Sequence, residues 1–301
     1  MASSLFTDLD GQSIPDSEIL GYGRSGVVIL RDELAVKTPL RHPWSSEDEV
    51  QVNLEVLQRE QEVYRRLNSP GSGNGQIDGV VPCIGFSTKA ILLAPLENGD
   101  LHAYLEKNKP SQALQMSWFR QMARTLEQVH DKRVLVADIA TRNYLLDSDL
   151  SVKLCDLTEA SVLPLDTLME AADDNGFSIQ TDIGQLGAVM YEVVTGSKCE
   201  FDLFKDNAPE DGRATWPQRT SLPSTNGLWI GQIIEKCWTQ GGFQNAHPLH
   251  QALSSFGMES TSPSLFDRSL RCLTERRSLS ILAIVLTAAT VLVTWTRDRR
   301  H

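Results

Sequence analysis

The stretch EILGYGRSGVVILRDELAVKTP, residues 18–39, decides the fold. Gly21, Gly23 and Gly26 stand between two runs rich in Val, Ile and Leu. A dinucleotide fingerprint of this spacing would lead from a strand into a helix, whereas this one leads from strand into strand. The spacing therefore predicts a glycine-rich hairpin. Such a hairpin can bend over a phosphate chain and offer backbone N–H groups to it, with glycines where a Cβ would block the approach. Val28 completes the pattern G-x-G-x-x-G-x-V, and Lys37 follows on the next strand in LAVK.

Residues 45–67 read as a helix with Ser45 or Ser46 as N-cap and acidic residues in its first turn. Val50, Leu54, Leu57, Tyr64 and Leu67 form its apolar stripe. Glu60 falls within that stripe and Glu62 on the polar side. A carboxylate aimed inward needs a cationic partner, and Lys37 is the candidate; the bland alternative is that Glu60 only borders the stripe. A Gly/Ser/Asn-rich loop (68–79) precedes an apolar strand in AILLAPLENGD and a helix beginning near Asp100. Residues 117–130 are again helical, with Phe119, Met122, Ala123, Leu126 and Val129 on one face. VADIATRN (136–143) comes next, followed by two short apolar strands around a DSDL turn. A hairpin brings its open ends together, so Asp138, Asn143 and Asp156 are expected to converge. Residues 181–196 and 230–240 predict two further helices.

Composition excludes other routes. With 41% hydrophobic and 22% charged residues the chain can bury a core. Its net charge of −11 divides unevenly: seven Arg in residues 268–301 face only Glu275 and Asp298, leaving the first 267 residues at −16. So acidic a body is a poor nucleic-acid binder. Five scattered cysteines without a Cys-x-x-Cys pair suit a reducing compartment and read as mostly buried thiols. The opening MASSLFTDLDGQS lacks the basic start and apolar core of a secretory signal. Near the other end SLSILAIVLTAATVLVTWT (278–296) carries no charge, is flanked by arginines on both sides and has Trp295 near one boundary. As a helix it would span about 28 Å against about 30 Å of hydrocarbon. The expectation is a tail anchor that leaves the body cytoplasmic; the alternative is a buried terminal helix.

From about residue 15 to 256 the order of these features resembles the eukaryotic protein kinase superfamily. That resemblance implies an α+β, bilobal protein kinase-like fold, with a small β-rich N-lobe and a larger α-helical C-lobe, plus the C-terminal transmembrane helix. The implied organisation is an N-terminal extension (1–14), the kinase-like domain (15–256), a linker (257–277), the membrane helix (278–296) and a basic tail (297–301). It further implies that Gly21, Gly23 and Gly26 cover ATP, and that Lys37, paired with Glu60, holds its phosphates. Asp138 is then the base that accepts the substrate hydroxyl proton, and Asn143 with Asp156 binds Mg²⁺. Val28 and Ala35 would floor the adenine pocket, Leu93 would be the gatekeeper, and the backbone of Ala94 to Leu96 would hydrogen-bond adenine. The implied partners are ATP, a protein substrate or partner, and a membrane through the terminal helix, with no nucleic acid.

The departures from the family pattern are specific. H-R-D is replaced by Val136, Ala137 and Asp138, which removes the His that braces the loop and the Arg that reads an activation-loop phosphate. Control by such a phosphate is therefore not expected. D-F-G is replaced by Asp156, Leu157 and Thr158, and Thr lacks the freedom of Gly at φ > 0. A-P-E is reduced to Leu168, Met169 and Glu170, and the Arg that pairs with its Glu corresponds to His247. Ala140 stands where serine/threonine kinases carry a Lys; Arg142, before Asn143, resembles the A-A-R-N loop of tyrosine kinases and is either a phosphate-steadying charge or a surface arginine. Three readings follow: a membrane-anchored ATP-dependent protein kinase, a pseudokinase scaffold binding nucleotide or partners, and a kinase-like fold acting on a small molecule.

Overall fold

The computed structural model describes residues 4–69, 76–205 and 212–256. The hairpin is formed by β2 (Gly26–Arg31) and β3 (Leu34–Pro39), preceded by β1 (Ile19–Tyr22). Asp32 and Glu33, the two connecting residues, both have positive φ (49° and 62°), as a two-residue turn matching the right-handed strand twist requires. β4 (Cys83–Ser87) and β5 (Ala90–Leu93) complete a five-stranded sheet of order β1-β2-β3-β5-β4. Its register sets the site: Val28 lies opposite Lys37, and Ala35 opposite Leu93. Because side chains alternate between faces, Val27 and Ile29 go to one side. There they join Phe6, Ile14 and Leu40 in a small core. Val28, Ala35, Lys37 and Leu93 share the other face. Residues 6–14 are thus part of the sheet's cover, tied to it by hydrogen bonds such as Thr7 N to Arg41 O at 2.9 Å.

α1 (Glu47–Leu67) packs against β3 and β5. Ser46 is its N-cap and exchanges hydrogen bonds with Glu49 in a capping box. The buried side is wider than the apolar stripe: Gln61 and Val63 join Val50, Leu57, Glu60, Tyr64 and Leu67, while Leu54 is half-buried. Gln61 is accommodated because its amide donates to the Ser87 and Ala90 carbonyls. Glu62 is exposed, as the sequence predicts.

The rest is largely helical: α2 (Leu101–Lys107), α3 (Gln112–Asp131), α4 (Ile179–Thr195), α5 (Gly231–Cys237) and α6 (Ala246–Ser255). Two short ribbons, β6 (Val134–Leu135) with β9 (Ser161–Val162) and β7 (Tyr144–Leu146) with β8 (Val152–Leu154), lie between α3 and α4 in sequence. α4 is buried on nearly every side and allows very close approach. A Cβ at Gly184 would sit 2.4 Å from the Phe201 ring, and one at Gly187 2.8 Å from Cys237 Cβ. One apolar core runs from Tyr64 and Leu93 through Phe119 and Leu157 to Leu186 and Trp238, joining the sheet region to the helices. This is the bilobal arrangement expected from the sequence.

Two expectations need adjusting, and a third falls outside the described residues. Among the described cysteines only Cys237 is fully buried; Cys83, Cys155 and Cys199 are half-buried free thiols. His247 does not meet Glu170: it pairs with Glu127 of α3, and Glu170 accepts from Asn245 instead. No described helix is long and apolar enough to cross a membrane. The stretch 278–296, the linker before it and Cys272 lie outside the described residues.

Candidate functional site

Lys37 projects from β3 beneath the sheet and meets Glu60 of α1, Nζ to Oε2 at 2.7 Å. Glu60 is 1% exposed and Lys37 7%, so this is a buried pair. Asp156, two residues beyond β8, accepts from the same ammonium at 2.7 Å. Glu60 uses its second oxygen to receive the Leu157 N–H at 3.1 Å, which fixes the segment carrying Asp156 to α1. Burial alone would lower the Lys37 pKa, but the charges of Glu60 and Asp156 overcome it and hold the ammonium above its ordinary value. Burial likewise opposes ionisation of Asp156; Lys37 and the Thr158 hydrogen bonds reverse this and place its carboxyl below the usual range.

Thr158 corrects the reading of the altered D-F-G. Its backbone does not have positive φ; Asp156 does, at 53°. A side chain at 158 is therefore tolerated, and its hydroxyl oxygen lies 2.9 Å from Lys37 Nζ, 2.5 Å from Asp156 Oδ1 and 3.2 Å from Glu60 Oε2.

The segment from β6 to β7 carries the second group. Asp138 receives Arg142 through one guanidinium nitrogen at 2.7 and 2.8 Å, and the Asn143 amide at 2.9 Å. The Asn143 amide also donates to the Asp138 carbonyl at 2.9 Å. The β7–β8 ribbon closes the geometry, since Cys155 N donates to Asn143 O at 2.8 Å and sets Asp156 beside Asn143. That backbone bond, with the Asn143 amide on Asp138, links the chain at 138, 143 and 155.

The sequence analysis missed the brace beneath this loop. Asp182 of α4 is fully buried and accepts from Val136 N and Ala137 N, each at 2.9 Å, and from His130 Nε2 at 2.8 Å. Since a carboxylate only accepts, these bonds assign the His130 proton to Nε2. Ala137 is held at φ +64°, a conformation unfavourable for a residue with a Cβ. Gln185 adds two bonds, accepting from Ile139 N and donating to Ala137 O. Thr141 is anchored on the buried Glu192, which also meets His102. The legible signal was a lone Asp in the first turn of an apolar helix, TDIGQLGAVM.

Val28, Ala35 and Leu93 line the inner sheet face, and Leu96 packs half-buried against the same core. Ala94 N is taken by Pro82 O at 2.9 Å. At Gly26 a Cβ would come within 3.1 Å of Lys37 Cε, so the lysine side chain would have to give by a few tenths of an ångström. At Gly21 and Gly23 a Cβ would meet nothing within 4 Å, and neither has positive φ, so the chain's own packing does not demand glycine there. With Asn143 Nδ2 turned to Asp138 and Asp156 Oδ1 turned to Lys37 and Thr158, Asn143 Oδ1 and Asp156 Oδ2 are left to meet a cation. These hard oxygens suit Mg²⁺, which takes one or two protein ligands and completes its shell with water and phosphate. No cluster of three or more His, Cys, Asp or Glu among the described residues could hold a metal alone.

Two other clefts lie among the helices, of about 550 Å³ beside Thr225, Leu228 and Glu235 and about 310 Å³ beside Asp173, Arg213 and Trp216. In the first Glu235 is paired with Arg219, and in the second Asp173 with Arg213.

A two-lobed fold, a buried Lys–Glu pair and a braced Asp-to-Asn loop together define a protein kinase domain. The family described as protein tyrosine and serine/threonine kinase matches residues 57–244, well over half of the chain, and the chain belongs to it. The match begins inside α1, so the glycine-rich hairpin and Lys37 are placed by geometry alone. Relatives include the tyrosine-protein kinase receptor TYRO3 of Danio rerio, 23% identical over 171 residues (50% of this chain, 20% of that protein). The mitogen-activated protein kinase kinase kinase ANP1 of Arabidopsis thaliana is 24% identical over 247 residues (73% and 36%). The tyrosine-protein kinase JAK3 of Rattus norvegicus is 27% identical over 192 residues (52% and 17%). The matched segments thus span about a third or less of these relatives' lengths.

Proposed function

We propose that this chain is an ATP-dependent protein kinase that transfers the γ-phosphate to a protein hydroxyl. The observation that carries the reading is the Lys37 ammonium held 2.7 Å from both Glu60 and Asp156, with Asn143 tied to the same strand end. Phosphoryl transfer needs positioning and charge neutralisation more than covalent chemistry. Lys37, oriented by Glu60, is the cation for the phosphates. Gly21 and Gly23 leave the hairpin open to close approach, and Val28, Ala35 and Leu93 supply an apolar surface for the base, with the Ala94 to Leu96 backbone at its edge. Asn143 and Asp156 are the residues that would hold Mg²⁺; when bound, the ion neutralises phosphate charge. Asp138 is the acceptor for the substrate hydroxyl proton, and Arg142, already on its carboxylate, supplies charge beside the transferring group.

The pseudokinase reading keeps one observation in its favour: the Asp138 carboxylate is engaged by both Arg142 and Asn143. Label transfer from ATP to a generic protein substrate decides between them. Asp138→Asn is expected to lower incorporation by about 10²-fold or more; equal incorporation by both proteins removes the enzyme reading. Anchoring through 278–296 is part of the proposal, supported by its 19 uncharged residues. Removing 276–301 is expected to release the body from membranes, and a truncated protein that still pellets refutes the anchor.

A further inference from the structure

Lys37 has three N–H donors, and the protein uses all of them: Glu60 Oε2 at 2.7 Å, Asp156 Oδ1 at 2.7 Å and Thr158 Oγ1 at 2.9 Å. Two of these partners are carboxylates and one is a neutral hydroxyl. A phosphate oxygen approaching the ammonium must displace one of them. The hydroxyl is the weakest, since it carries no net charge and lacks the Coulomb attraction that each carboxylate has for the ammonium. It also has somewhere else to go, because Thr158 keeps Asp156 Oδ1 at 2.5 Å and has Glu60 Oε2 within 3.2 Å. A glycine at 158 would leave the third donor open.

We propose that Thr158 is a positioning residue that occupies, on Lys37, the hydrogen-bonding place a nucleotide phosphate takes, so that each binding event exchanges its hydroxyl for a phosphate oxygen. The hydroxyl thereby sets nucleotide affinity and holds the ammonium aimed while the pocket is free. This rests on the nucleotide reading above and adds to it a residue that competes with the phosphates. The effect is confined to ligands that carry phosphate, since adenosine has nothing to offer Lys37.

Calorimetric titration of the full chain with Mg·ADP and, separately, with adenosine tests this. Thr158→Val keeps the β-branched shape and removes the hydroxyl; it is expected to bind Mg·ADP on the order of tenfold more tightly, the gain from not giving up a bond to a charged donor. Adenosine affinity is expected to be unchanged, and Thr158→Ser, which restores the hydroxyl, to behave as the wild type. Equal or weaker Mg·ADP binding by Thr158→Val overturns the proposal while leaving the nucleotide site standing. An equal gain for adenosine also overturns it, because the change is then a general one of pocket shape. Failure of the wild type and both variants to bind either ligand overturns the nucleotide reading itself.

Discussion

Replacing Asp182 with Ala removes the brace of the loop that carries Asp138, and its cost can be worked from three bonds. The side chain is fully buried and accepts from Val136 N, Ala137 N and His130 Nε2 at 2.8–2.9 Å. Without the carboxylate, three buried donors lose their acceptor, and the void left by the side chain is too deep in α4 for the apolar core to satisfy them. Each orphaned donor costs about 1–3 kcal/mol, so the three together cost about 3–9 kcal/mol. Ala137 is held against a left-handed preference cost of about 1–2 kcal/mol, which is recovered if the loop relaxes. A net loss of about 4 kcal/mol follows. For a domain of this size that lowers the melting temperature by about 8–16 °C. The assay is thermal unfolding followed by circular dichroism, with label transfer measured on the same samples. A melting temperature within about 3 °C of wild type would refute the reasoning, because it would mean that water or another side chain satisfies those donors.

Two further outcomes can be checked with the same instruments. The Asp156 carboxyl lies below its ordinary range in the folded chain, so it contributes stability above the unfolded carboxyl pKa of about 3.9 and loses that contribution as pH falls through the lower folded value. Asp156→Asn is therefore expected to flatten the loss of stability as pH falls below about 3.9; an unchanged acid slope argues against the Lys37 contact. Gly21→Ala and Gly23→Ala meet no atom within 4 Å. Both are expected to change stability by less than about 0.5 kcal/mol yet weaken the shift produced by Mg·ATP. Gly26→Ala, 3.1 Å from Lys37 Cε, is expected to disturb the lysine even without ligand. Unaltered ATP binding in all three would remove the hairpin from the site.

Parts of the site were legible early because they depend on local pattern. Glycine spacing and apolar alternation over residues 18–39 identify a hairpin, and the helical period places Glu60 among buried residues, where a partner cation is required. The β7–β8 hairpin predicts that Asn143 and Asp156 meet, because antiparallel pairing of short strands leaves few alternatives. Other features were not legible from local pattern. The replacement of H-R-D suggested a loop that had lost its support, whereas its backbone rests on Asp182, 46 and 45 positions away from Val136 and Ala137.

The sequence by itself determined the strand-turn-strand glycine hairpin, the inward carboxylate on α1 and the order of polar residues around the second hairpin, because each follows from the periodicity of a single element. Only the tertiary structure decided that Thr158 is a partner of Lys37, that left-handed geometry falls on Asp156 and Ala137, and that His247 belongs to Glu127. The physical reason is that a buried polar group takes whichever partner the packing brings within about 3 Å, and strand period and helix face do not encode that distance between elements remote in the chain.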